Sequence, residues 1–147
     1  LSVHAPDDAL RHELVPGVRK RSLEETLAEA DALFSSTGRE YTVEYVLLDG
    51  VNDSPAQARS LAKLLRDVPC KLNLIPFNPF PDSGFARSKP EAVSRFRDIL
   101  VEAGYVATIR KTRGDDIDAA CGQLAGEVVN RMKKRTVRIH KSHQEAA

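Results

Sequence analysis

Two shortages set the first limits on this chain of 147 residues: it has 2 cysteines, and it lacks long apolar runs. Cys70 and Cys121 lie far apart, so the chain cannot by itself supply the three or four clustered thiolates of a zinc or iron-sulfur centre, and it makes a poor disulfide framework. No apolar run approaches the roughly 20 residues that cross a bilayer, which excludes a helical membrane span. The sequence also has no GxGxxG, no GxxxxGK and no HExxH, so the familiar dinucleotide, P-loop and zinc-protease signatures are missing. Nothing at the amino end reads as a signal or transit peptide, and no internal repeat is visible. Leu1 stands first, and LSVHAPDD reads as the end of a strand, so the sequence is expected to begin inside a fold.

What is present suits a globular domain: 41% hydrophobic, 29% charged, mean hydropathy −0.35. The 22 basic and 21 acidic residues nearly cancel, but not locally. From Arg131 to His143 the tail reads RMKKRTVRIHKSH, with six Lys or Arg, two His and no acid. Such a tail is either an electrostatic footprint for phosphate backbones or a solvated terminus.

Apolar runs alternate with capped amphipathic segments. Ser22 and Glu25 form the pattern of a capping box ahead of Leu23, Leu27, Ala30 and Leu33 or Phe34 at helical spacing. Tyr41 to Leu48, rich in β-branched and aromatic residues, reads as a strand closed by Asp49-Gly50. Ser54, Pro55 and Gln57 open a second helix with its stripe at Ala58, Leu61, Ala62 and Leu65. A strand from about Lys71 to Pro76 gives way to the loop FNPFPDSG. Ser88 and Glu91 are expected to cap a third helix carrying Val93, Phe96, Leu100 and Ala103 and ending at Gly104. YVATIR reads as a further strand. A last helix should start near Asp115 or Asp116. This alternation predicts an α/β class with parallel strands.

In such folds, ligands bind at the carboxyl ends of strands. The residues there are Ser2, His4, Asp49, Asn52, Asn78 and the segment from Lys111 to Asp116, mostly small polar groups suited to a neutral or zwitterionic ligand. Cys121, in DDIDAACGQLAG, admits two readings. Small neighbours and nearby Arg110, Lys111 and Arg113 favour an accessible thiolate, whereas its place on an apolar stripe favours a buried small hydrophobe. Helix capping accounts for Asp115, Asp116 and Asp118 more simply than a cation site does. His4 is either a ligand contact or a core histidine, and Asn78 either a turn residue or a ligand contact.

The strings LSVHAPDDALRHELVPGVRK, EYVLLDGVNDS, KLNLIPFNPFP and RKTRGDDIDAACGQLAGEV together resemble the carboxyl-terminal half of RlmN-type radical S-adenosylmethionine (SAM) methyltransferases, which methylate adenine C2 in 23S rRNA and tRNA. The resemblance spans residues 1 to about 135. It implies later strands of a partial (β/α)6 barrel followed by a carboxyl-terminal strand-helix extension, with residues 136–147 as a basic tail. It also implies SAM and a [4Fe-4S] cluster as cofactors, rRNA and tRNA as partners, a reductant such as flavodoxin, a cytoplasmic location and no membrane. Carried over to this sequence, Ser2, Val3, His4 and Asn78 match SAM contacts. Cys121 matches the cysteine that accepts a methyl group from one SAM and delivers it to adenine as a methylene radical, with a transient disulfide resolving the adduct. Adenine C2 has no lone pair with which to attack SAM, which gives this indirect route its reason.

The CxxxCxxC cluster loop, the GGE-like SAM segment, the resolving cysteine, the upstream glutamate and the RNA-binding domain of that family do not occur in these residues. The chain alone is therefore expected neither to bind the cluster nor to methylate RNA. A C8-methylating relative and a non-catalytic RNA-binding fragment are the alternative readings.

Overall fold

A computed structural model describes residues 1–18 and 21–111. The last predicted helix, Cys121, the acids of the 115–118 stretch, the basic tail and the carboxyl-terminal extension lie outside the described residues. Elements run α1 (Asp8–Leu14), a 3₁₀ turn (Pro16–Val18), α2 (Leu23–Thr37), β1 (Tyr41–Leu47), α3 (Pro55–Leu64), β2 (Cys70–Pro76), α4 (Pro90–Glu102) and β3 (Val106–Ile109). The three strands form a parallel sheet of order β1-β2-β3, as the alternation predicts, with α3 and α4 as the connections. Leu1 to Val3 extends it beyond β1: Ser2 pairs in parallel with Glu44, the Glu44 N–H donates to the Leu1 carbonyl at 2.8 Å, and the Val3 N–H donates to the Glu44 carbonyl at 3.0 Å.

Helix starts follow the sequence closely at two places. Ser22 and Glu25 close a reciprocal capping box on α2, and Ser54 and Gln57 do the same on α3 with Pro55 in the first turn. Gly38, at φ 66°, ends α2 in the left-handed conformation that a side chain would strain. At α4 the expected cap fails. Lys89 is the N-cap and makes no side-chain cap bond, while Ser88 is buried just before it. Pro90 sets the first turn instead, and its missing N–H reduces what a cap has to satisfy.

The sheet has two unlike faces because side chains alternate along a strand. Val43, Tyr45 and Leu47 of β1 and Leu72 and Leu74 of β2 pack with Val3 against Leu23 and Leu27 of α2, Leu61 of α3, and Val93, Phe96 and Leu100 of α4. Tyr45 and Phe96 stack at 5.1 Å between ring centres. The opposite face carries a polar row: Ser2 beside Glu44, Glu44 opposite Asn73, Asn73 opposite Thr108. Parallel sheets are ordinarily apolar and covered on both faces. A second small cluster, built on Ala5, Leu14 and Leu48 with Val46 and Phe77 against it, closes the carboxyl end. Among the described residues no helix is long and apolar enough to cross a membrane.

Candidate functional site

The carboxyl ends of the Leu1–Val3 segment and of β1 are joined by one side chain. Asn52, fully buried in the turn after β1, donates from Nδ2 to the carbonyls of His4 at 2.9 Å and Val46 at 2.7 Å, and its Oδ1 accepts the Leu48 N–H at 2.8 Å. Its own carbonyl accepts the Tyr45 hydroxyl at 2.8 Å. Both amide hydrogens are thus used inside the protein. Asn52, expected as a ligand group from its position, is instead the clasp that holds the first strand's end against β1.

The clasp fixes His4 in an unusual state. Its φ is 59°, in the left-handed region that non-glycine residues seldom occupy, and Nδ1 accepts the Val46 N–H at 3.0 Å. A backbone N–H can only donate, so Nδ1 is bare and the neutral ring carries its hydrogen on Nε2. Burial, and then the positive charge of Arg11, lowers the His4 pKa from 6.5 to about 4. At neutral pH His4 therefore offers an Nε2–H donor at the strand end.

Val3, next to it, is 0% exposed and packed in the core, and its N–H is used by Glu44. Its carbonyl is what it can offer a ligand. Ser2 is exposed. On the far side of β1, Phe77 continues the ladder by donating to the Leu47 carbonyl at 3.1 Å and packs its ring against Phe80 and Phe85. Asn78 follows it, exposed at the rim. The loop then returns over the end of β1, where Leu48 pairs with Arg87 and the Asp49 N–H donates to the Ala86 carbonyl at 3.0 Å. His4 and Asn78 thus lie at one end of the sheet with Asp49 exposed there, Ser2 sits mid-sheet beside Glu44, and Cys121 falls outside the described residues.

Two other residues at this end carry no sequence signal of their role. Tyr45 has the pattern of an ordinary strand residue, and Arg11 lies in α1, a helix too short to show periodicity. Cys70, half-buried at the start of β2, sits at the opposite end of that strand, and burial raises its thiol pKa. Among the described residues no three His, Cys, Asp or Glu side chains gather as a metal site, so these residues do not fit a [4Fe-4S] cluster. Their chemistry suits a zwitterion such as SAM, with an imidazole donor in His4 and an exposed amide in Asn78 at this end of the sheet.

Comparison with solved structures adds what geometry leaves open. A radical SAM methyltransferase from Sphaerobacter thermophilus matches 83% of this chain at 51% identity, with a TM-score of 0.78. This chain is similar to a segment of a radical SAM methyltransferase. The match covers 36% of the length of the S. thermophilus protein. A domain of pyruvate-formate lyase-activating enzyme from Bacteroides vulgatus ATCC 8482 matches 75% of this chain and 65% of that domain, at 18% identity with a TM-score of 0.58, a likeness of fold alone. No family model matches the chain.

Proposed function

We propose that the chain forms the later strands of a radical SAM methyltransferase barrel of RlmN type, acting on adenine C2 of 23S rRNA and tRNA. The observation that carries the reading is the 51% identity to the S. thermophilus radical SAM methyltransferase over 83% of the chain. The polar row on the sheet face away from the described helices supports it, because a barrel wall needs helices outside and a polar surface towards a bound cofactor. In this reading SAM supplies the methyl group and the radical, and the cluster ligands come from protein outside these residues. Ser2, the Val3 carbonyl, the Nε2–H of His4 and Asn78 hold SAM at the strand ends. The Cys121 thiol carries the methyl group to the base, and the basic tail meets RNA phosphates.

Nucleoside mass spectrometry of RNA from cells depending on the protein tests the reading. C2-methyladenosine, lost completely with Cys121→Ala, is the expected result. C8-methyladenosine would move the protein to the C8-methylating relatives, and methylation that survives Cys121→Ala would sink the cysteine-carrier mechanism.

A further inference from the structure

Arg11 is the least accommodated polar side chain of the described structure. It is 3% exposed, and neither Nε nor Nη1 has a hydrogen-bond partner among the described residues. A guanidinium binds a carboxylate through its Nε side or through its two terminal nitrogens, and Arg11 has an open nitrogen on each of those edges. Burying such a charge without a partner costs several kcal/mol, so a residue in this state needs an anion to meet it. Asp8, one turn earlier in α1, is favourable in sign but makes no ion pair with it, and its Oδ1 already accepts the Leu23 N–H at 2.7 Å.

The place of Arg11 narrows what that anion is. Its helix neighbours Leu10 and Leu14 pack with Ala5, Leu48, Val46 and Phe77, the residues that close the carboxyl ends of β1 and β2. Its charge also reaches His4 at that same end. A buried guanidinium whose charge acts on a neighbouring imidazole suits a compact planar anion better than the diester backbone of a nucleic acid.

We propose that Arg11 is a carboxylate receptor at the ligand end of the sheet, and that the carboxylate is that of the methionyl end of SAM. The second half rests on the SAM-dependent reading, whereas the first does not. A carboxylate from an aspartate or glutamate elsewhere in the protein is the other source of the same chemistry.

Binding of SAM and of decarboxylated SAM to the wild-type protein, Arg11→Met and Arg11→Lys, with the melting temperature of each ligand-free protein, separates the cases. The expected result is that wild type prefers SAM over decarboxylated SAM by about tenfold or more, that Arg11→Met erases the preference without lowering the melting temperature, and that Arg11→Lys falls between. An unchanged preference with a melting temperature several degrees lower in Arg11→Met keeps the receptor and assigns the carboxylate to the protein. An unchanged preference with an equal or higher melting temperature overturns the proposal. If wild type binds neither compound, the SAM-dependent reading fails, and the melting temperatures alone decide for or against the receptor.

Discussion

The side chain of Asn52 meets groups brought together from two parts of the sequence, and removing it leaves the Leu48 N–H and the carbonyls of His4 and Val46 unmatched. Asn52→Ala should therefore cost roughly 3 kcal/mol in urea unfolding, against about 1 kcal/mol for Tyr45→Phe, which removes one hydroxyl bond to the same residue's carbonyl. His4 gives a pH test. Its pKa falls from 6.5 unfolded to about 4 folded, so the unfolded chain binds the extra proton between those values. The stability it contributes is full above pH 6.5 and is lost as pH falls towards 4, by up to about 3 kcal/mol. His4→Gln should flatten that part of the stability profile between pH 7 and 4.5, and a profile identical to wild type would contradict the assignment. These roles were only half legible. Asn52 and His4 stood out as polar residues at strand ends, but the bond that joins them spans 48 positions and follows from the parallel register, which no local pattern encodes.

At the scale of elements, local chemistry and sequence agree best where a cap is reciprocal. Ser22→Ala and Ser54→Ala should each cost about 1 kcal/mol by denaturant midpoint, because each removes a serine oxygen that accepts a first-turn N–H. Ser88→Ala should cost less than either, since no cap bond depends on it. The same motif misleads at Ser88 because the chain enters α4 one residue later than the pattern suggests, and packing buries the serine. Helix α1 carries little sequence signal for a different reason. Its seven residues hold only two large apolar side chains, Leu10 and Leu14, too few for a helical period to show. It forms because Asp7 caps it, accepting the Leu10 N–H at 2.9 Å, and because the cluster around Leu14 holds it down.

Among the described residues the fold is a layered sheet with one helix-covered face, one face carrying a polar row and an edge at β3. The α/β class was legible because each strand and helix kept its own periodicity. The polar row Ser2, Glu44, Asn73 and Thr108 was not, because it depends on which residues stand opposite one another across four segments. Val106, 59% exposed on β3, lies where a neighbouring strand can add. Val106→Lys should reduce association of the 147-residue chain in sedimentation experiments, while an equal association in both proteins would place the contact elsewhere.

The function proposed for this assembly turns on one sulfur atom. The most direct measurement is peptide mass spectrometry of the protein, produced with its cluster and incubated with SAM carrying a deuterated methyl group. The labelled methyl on the peptide containing Cys121, with none on Cys70, is the expected result. Label confined to other residues, or absent from Cys121 while RNA is methylated, would contradict it.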